Sequence, residues 1–143
     1  TAHNAREVGY TILHGRPRVE ALLRGTVELM EAHGLYAGHT RNVRNGNDTL
    51  FRGAPCLILI HAPERILSET DCATAAAYLE LILPSLGLGS CWAGMLLEAC
   101  AHGSPAGLDL PEGHKLYAAL MVGTPAVSYR RIPFRSAPAC IWK

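Results

Sequence analysis

The sequence lacks the patterns that mark disulfide frameworks and metal sites. Its five cysteines are odd in number and widely spaced, and none belongs to a Cys-x-x-Cys pair. This argues against a disulfide framework or a zinc knuckle and favours a reducing compartment. The seven histidines are scattered without ligand spacing. We therefore expect no metal site.

Excess charge and long apolar runs are also missing. Thirteen Lys and Arg against twelve Asp and Glu leave a net charge of +1. Such a balance provides no field that would attract nucleic acid or an anionic membrane. No apolar run approaches the roughly 18 residues of a membrane span, and no signal peptide is recognisable. We expect a cytoplasmic protein with neither nucleic acid nor membrane as a partner.

An initiator methionine is missing too, because the chain opens with Thr1-Ala2-His3-Asn4. The 143 residues, 49% of them hydrophobic, suit one globular domain with a sizeable core. A strand is predicted within a few residues of the first. We therefore expect residues 1–143 to be a single domain whose N-terminal part has been lost.

Hydrophobic periodicity predicts strands that alternate with helices. Strands are predicted over 8–14, 55–60 and 115–122, and helices over 18–33, 68–83 and 96–102. Residues 35–53 show no periodicity and predict a long surface loop, and residues 126–143 predict an irregular tail. This alternation predicts an α/β or α+β layered sheet.

The central predicted helix has an unusual composition. Ser68-Glu-Thr-Asp71 has the spacing of a capping box and opens the helix. Pro84 costs about 3 kcal/mol inside a helix, so a kink or stop is expected there. The helix is apolar nearly all round, which is typical of a large core or a subunit interface.

The most informative segment is Gly87 to Gly94, Gly-Leu-Gly-Ser-Cys-Trp-Ala-Gly. Its three glycines permit a backbone that lies flat against a planar ligand. They also suit a plain helix-to-strand turn with Cys91 and Trp92 in the core. The letters Gly-Ser-Cys-Trp further resemble the nucleophile motif of papain-like proteases.

Spacing disfavours the protease interpretation. Papain-like enzymes place the catalytic histidine and asparagine roughly 130–150 residues after the cysteine. In a chain of 143 residues, Cys91 lies too late for that, and His102 and His114 follow it too soon. The Rossmann and Walker A spacings are absent as well.

Arginines form two groups. Arg131 and Arg135 lie in a proline-stiffened segment that suits bidentate recognition of a phosphate, although a solvated surface explains them equally well. Arg41, Arg44 and Arg52 belong to the predicted loop, where solvation is the simpler interpretation.

Together these segments resemble the nitroreductase family in order and spacing. The opening Thr1 to Glu7 resembles its Ser/Thr-x-x-Asn-x-Gln-Pro segment, with Asn4 in place but Arg6 and Glu7 where Gln and Pro are expected. Pro84 to Gly94 resembles the flavin-contacting turn of the family. Further matches to its C-terminal strand and arginine-bearing tail are Leu110 to Lys115, Met121 to Pro125, Arg131 to Arg135 and Ile141-Trp142.

The combination is most similar to the branch in which a ferredoxin-type iron–sulfur domain precedes the nitroreductase domain. Members of the family begin with helices that carry an Arg-Arg-Ser-x-Arg motif, which binds the flavin phosphate. Nothing in this sequence corresponds to that motif. Like the missing methionine, this indicates truncation.

The resemblance implies an α+β fold: a mixed β-sheet flanked by helices in three layers, with a dimeric core. It also implies a homodimer that binds FMN between its subunits. The apolar helix over 71–83 would then pack against its twin. Phosphate binding would fall to Arg131 and Arg135.

The resemblance also assigns the flavin contacts. Backbone amides of Ala93 and Gly94 would donate to flavin N5 or O4. Asn4 would bind the pyrimidine edge, with Arg6 as a cation near N1 and O2. Three further residues are expected beside the ring, namely Ser90, Cys91 and Trp92. No side chain is a catalytic residue here, since the flavin carries the chemistry.

The expected function is therefore an FMN-dependent oxidoreductase that reduces nitro compounds, quinones or similar small organic acceptors. Electrons would come from NAD(P)H or from an attached upstream ferredoxin domain. Because Arg6 and Glu7 depart from the family motif, one alternative is a non-catalytic dimeric flavin-fold module used for binding or as a scaffold. A more remote alternative is a cysteine hydrolase at Cys91.

Overall fold

Helices cover both faces of a four-stranded sheet. The computed structural model describes residues 6–128, 130–131 and 135–142. In chain order its elements are β1 (Gly9–His14), α1 (Arg16–Ala32), α2 (Ala37–Arg44), β2 (Cys56–Pro63), α3 (Ser68–Ile82), a 3₁₀ turn (Leu83–Leu86), β3 (Gly89–Trp92), α4 (Gly94–Cys100) and β4 (His114–Gly123). Within these ranges, no helix has the length and hydropathy needed to cross a bilayer.

The strands are ordered β1-β2-β4-β3, and every neighbouring pair is antiparallel. The parallel pairing that a mixed sheet includes is thus not found among the described strands. The connections from β1 to β2 and from β3 to β4 return the chain in the opposite direction, whereas α3 leads from β2 to β3, which run in the same direction on either side of β4. As a result, β1 and β3 form the two edges of the described sheet.

Alternating side chains on the central strands divide the core into two clusters. On β2, Leu57 and Leu59 pack with α1 and α4, whereas Ile60 packs with α3 on the other face. On β4, Met121 packs in the cluster with α1 and α4, whereas Leu120 packs in the cluster with α3. The α+β architecture and its three layers are therefore confirmed.

The segment predicted as a loop over 35–53 contains α2, so that prediction was wrong. Tyr36 begins the helix in the left-handed region at φ 47° and donates its hydroxyl hydrogen bond to Glu98 on α4. Arg44 forms an ion pair with Glu31 of α1 at 2.7 Å. Contacts between distant residues therefore hold α2, and local periodicity does not register them.

The apolar helix α3 begins where it was predicted, but without the expected cap. The Ser68 hydroxyl donates to the Pro63 carbonyl at 2.6 Å, and no side chain caps the helix. The predicted interruption at Pro84 is confirmed, because α3 ends at Ile82 and a 3₁₀ turn follows. Gly87 then reverses the chain towards β3 with a φ of 73°.

The close approach of residues 104–108 to α1 gives a test of the packing. A Cβ added to Gly25 would lie 2.1 Å from the Ala106 carbonyl oxygen, whereas one added to Gly38 of α2 would meet nothing within 4 Å. We expect Gly25→Ala to destabilise the protein by about 1–3 kcal/mol through overpacking. Gly38→Ala should be neutral or stabilising by up to about 1 kcal/mol. Urea unfolding of both variants measures the difference, and equal effects would contradict the packing described.

Candidate functional site

A cavity of about 590 Å³ opens beside β3, where this edge strand meets the end of β4. Gly89, Ser90 and Cys91 form one wall. The other walls are residues 51–55, which lead into β2, and 121–127, which end β4 and begin the tail. The predicted glycine segment therefore lies at a cavity that could hold a small-molecule ligand.

Two backbone amides at the end of β3 were predicted to donate to a ligand. One of them is available, and the other already donates a hydrogen bond within the sheet. Ala93 N–H donates to the Ala119 carbonyl at 2.8 Å and completes the pairing with β4. That amide cannot also serve a ligand, so the expectation that both Ala93 and Gly94 donate is corrected for Ala93. Gly94 is the first residue of α4, and among the described residues no carbonyl accepts its N–H.

Space is available above Gly94. This residue is exposed, and a Cβ added to it would meet no atom within 4 Å. Ala93 beside it is 2% exposed and packs into the core next to α1. The backbone at Gly94 is therefore anchored on one side and open on the other.

Side chains on β3 alternate between the two faces of the sheet. Cys91 is opposite Met121, on the face of α1, while Trp92 is opposite Leu120, on the face of α3. Trp92 is 37% exposed and donates its indole N–H to the Glu80 carboxylate on α3 at 2.7 Å. The glutamate, which sequence analysis did not select, thus fixes the orientation of the indole.

Arg6 lies away from this cavity. It precedes β1, and its φ of 53° is in the left-handed region. β1 and β3 are opposite edges of the sheet, separated by three strand spacings or about 14 Å. Arg6 is not among the described residues that line the cavity. Asn4 lies outside the described residues.

The tail arginines are not brought into the cavity wall. Arg131 and Arg135 are exposed, and among the described residues of the tail the lining extends to Val127. Sequence analysis instead missed Arg52, which does line the cavity. The sequence feature that could have indicated this residue is the Arg52-Gly53 pair, which stands shortly before a buried strand in a segment without helical periodicity.

The surroundings of Cys91 do not suit a hydrolase. Its thiol donates a weak hydrogen bond to the Trp92 carbonyl at 3.8 Å. The hydrogen bonds found for the described histidine side chains are made to residues other than Cys91. His61 contacts His114 and Thr11, and His39 contacts Thr49. In the described part of the chain no hydrogen bond joins an imidazole to Cys91, and a cysteine nucleophile requires such a base.

The buried thiols are equally inert. Burial raises the pKa of Cys100 to about 11. Burial, and to a smaller extent the nearby Asp71, raises the pKa of Cys72 to about 11. Both remain protonated at neutral pH and are poor nucleophiles. Over residues 6–128, 130–131 and 135–142, no three His, Cys, Asp or Glu side chains are grouped to hold a metal ion.

Comparison of the fold with solved structures gives similar proteins that bind FMN. An FMN-bound nitroreductase from Bacteroides fragilis is 21% identical, with a TM-score of 0.72 over 100% of this chain and 80% of its own. An FMN-bound nitroreductase from Desulfitobacterium hafniense is 19% identical, with a TM-score of 0.73 over 94% of this chain and 75% of its own.

Relatives with other bound molecules share the fold. The FMN-dependent nitroreductase NfnB from Mycobacterium smegmatis, in complex with NADPH, is 17% identical with a TM-score of 0.59, over 87% of this chain and 71% of its own. Iodotyrosine deiodinase, bound to FMN and 3-iodo-L-tyrosine, is also 17% identical, with a TM-score of 0.62 over 96% of this chain and 77% of its own. None of the curated proteins matches the chain.

Sequence comparison identifies the family directly. The model of the nitroreductase family matches residues 1–124, which include the glycine segment and all four described strands. The chain therefore belongs to the nitroreductase family of flavin-dependent oxidoreductases.

Proposed function

We propose that this protein binds FMN along the edge of β3 and uses it to reduce small organic acceptors such as nitro compounds or quinones. The observation that carries the proposal is the open backbone at Gly94, just after β3, the strand whose residues Gly89 to Cys91 line a cavity of about 590 Å³. A flat ring approaches a backbone closely only where no Cβ intervenes. Gly94 meets that requirement.

The residues present fit FMN. The cavity wall is largely apolar, which suits the hydrocarbon edge of a flavin, while Ser90 and Thr124 offer hydroxyl groups to its polar substituents. Bound FMN would supply the redox chemistry, accepting electrons from a donor and passing them to the acceptor. The protein would contribute binding, orientation and electrostatics.

Gly94 N–H is the donor best placed to stabilise charge at the flavin. As an amide of the first turn of α4, it has no acceptor within its own helix. A fixed backbone donor costs no reorganisation when charge develops at N5 or O4. Trp92, held by Glu80, would limit the position of the ring, and Ser90 and Cys91 would line its side.

We propose that the remaining predicted contacts come from a second subunit. In one chain, Arg6 precedes β1, which is the sheet edge opposite β3, and Asn4 comes two residues earlier in the sequence. If they bind the pyrimidine edge of FMN, they reach it from the partner of a homodimer. Arg131 and Arg135 are exposed arginines in the tail and are available to bind the phosphate.

An exposed apolar surface supports the homodimer. On α3, Tyr78 is 64% exposed, Leu81 77% and Ile82 51%, and Tyr10 and Ile12 of β1 are 50% and 57% exposed. Tyr10, Tyr78 and Ile82 line one shallow cavity of about 400 Å³. Covering one such side chain contributes about 1.5–3 kcal/mol. Exposed clusters of this kind usually mark an interface.

NAD(P)H is the proposed electron donor, and a ferredoxin domain attached upstream is the second possibility. We propose that the protein acts in the cytoplasm. A non-catalytic dimeric binding or scaffold module remains the alternative function, favoured by the replacement of the family Gln and Pro by Arg6 and Glu7. Glu7 forms an ion pair with Arg65 at 3.0 Å, so it has a local structural role.

The central test is FMN titration of the purified protein, followed by turnover of a nitroaromatic compound or a quinone with NADPH or dithionite as reductant. We expect a yellow flavin spectrum that the reductant bleaches and the acceptor restores. Binding without turnover would favour the scaffold module. Failure of the protein to bind FMN would contradict the proposal.

Gly94→Val tests the flavin position. Because an added Cβ meets no atom, the free energy of unfolding should change by no more than about 0.5 kcal/mol. The side chain would nevertheless occupy the space over the flavin, so we expect at least a tenfold weaker FMN Kd, or about 1.4 kcal/mol. Flavin fluorescence quenching measures the Kd. Gly38→Val, an open glycine of α2, is the matched control and should bind FMN normally.

Leu81→Glu tests the dimer. A charge in the middle of the exposed surface on α3 would have to be buried in the proposed interface, so we expect monomers and, with them, weaker FMN binding. Arg24→Glu, on an exposed position of α1 across the sheet, is the control. Sedimentation analysis gives the masses. Dimers that persist in Leu81→Glu would place the interface elsewhere.

A further inference from the structure

Arg52 is the one charged residue in the described lining of the cavity beside β3. Ser90 and Thr124 supply hydroxyl groups, and the other side chains in the lining are mainly apolar, among them Met121 and Val127. A cavity with apolar walls and one cation suits a molecule with an apolar or planar body and one anionic group. Its electrostatic character therefore depends on this arginine.

The backbone holds Arg52 in a conformation that side chains rarely adopt. Its φ is 56°, in the left-handed region that favours glycine. On its N-terminal side, Phe51 is 1% exposed and Leu50 2%, so both are anchored in the core. Gly53 follows with a φ of 68°.

Asp48 stabilises this turn. One of its carboxylate oxygens accepts from the N–H of Leu50 at 3.1 Å and of Phe51 at 2.8 Å, and the other accepts from Gly53 at 2.8 Å. The backbone around Arg52 is thus fixed on both sides. Strained positions that are held in this way occur mostly at functional sites.

The guanidinium is available to a ligand. In the described part of the chain no carboxylate forms an ion pair with Arg52, and no hydrogen bond of its side chain is found. Asp48, the nearby acid in sequence, already uses both oxygens on backbone amides. A planar guanidinium binds carboxylate or phosphate through two parallel hydrogen bonds.

We propose that Arg52 binds the phosphate or carboxylate group of a ligand that lies in this cavity along β3. This inference rests on the proposed function for the identity of the ligand. The anion has two possible sources there, the phosphate of FMN and an acid group on the organic acceptor. This role replaces the interpretation of Arg52 as a loop arginine that only contacts solvent.

The first test measures binding of phenyl phosphate and of benzoate to the flavin-free protein by isothermal titration. Arg52→Gln should weaken binding of at least one probe tenfold or more. Arg41→Gln removes an exposed arginine of α2 that is outside the cavity and should bind both probes as wild type does. Unchanged binding in Arg52→Gln, or an equal loss in Arg41→Gln, would overturn the proposal.

The second test identifies the source of the anion. If it is the flavin phosphate, Arg52→Gln raises the Kd of FMN at least tenfold and leaves that of riboflavin unchanged. If it is the acceptor, the KM for 4-nitrobenzoate rises while that for nitrobenzene and the Kd of FMN stay constant. Either result supports the proposal, and the absence of both overturns it. Wild-type protein that binds phenyl phosphate through Arg52 but no FMN would contradict only the proposed function.

Arg52→Gly separates binding from folding. Glycine adopts a φ of 56° without a Cβ penalty, so its unfolding midpoint should equal or exceed that of Arg52→Gln. Anion binding should be lost equally in both variants. A markedly lower midpoint in Arg52→Gly would show that the long side chain at position 52 serves packing, against the proposal.

Discussion

Strand β4 hydrogen-bonds to β2 on one side and to β3 on the other, and this pairing positions the whole candidate site. From Ala118 to Val122 the strand is buried, so its register cannot slip without exposing one face of the core. The last bond of its ladder to β3, from Ala93 N–H to the Ala119 carbonyl, fixes where the strand ends. Helix α4 starts immediately afterwards, which leaves Gly94 N–H with open space above it at the end of the strand that lines the cavity.

The same sheet order underlies the proposal that two subunits share the flavin site. The residues expected at the pyrimidine edge lead into β1, while the glycine segment is β3, at the opposite edge. The sheet between them is a packed core, not a passage. A second subunit resolves this, and the exposed apolar side chains on α3 and β1 are suited to bind one. In this account, dimerisation and cofactor binding are a single requirement.

Most of the fold could be predicted from the sequence, because its main strands and helices have strong periodicity and clear stop signals. Pro84 marked the end of α3 correctly, whereas β3, which lies within the glycine segment, was not predicted as a strand. Helix α2 was missed because tertiary contacts such as Tyr36 with Glu98 hold it. At the site, the glycine segment was found from its composition. The hydrogen bond that commits Ala93 depends on the distant Ala119 and could not be inferred from local sequence. The backbone conformation of Arg52 is held by the nearby Asp48, but residues 35–53 lacked the periodicity that would have drawn attention to it.

Subunit complementation tests the shared site most directly. Gly94→Val would damage the β3 half of the site, and Asn4→Ala the half that leads into β1. Each homodimer should then bind FMN weakly, but a purified heterodimer of the two variants should recover one intact site and bind one FMN per dimer with wild-type affinity. A heterodimer as weak as either parent would contradict a site built from two chains.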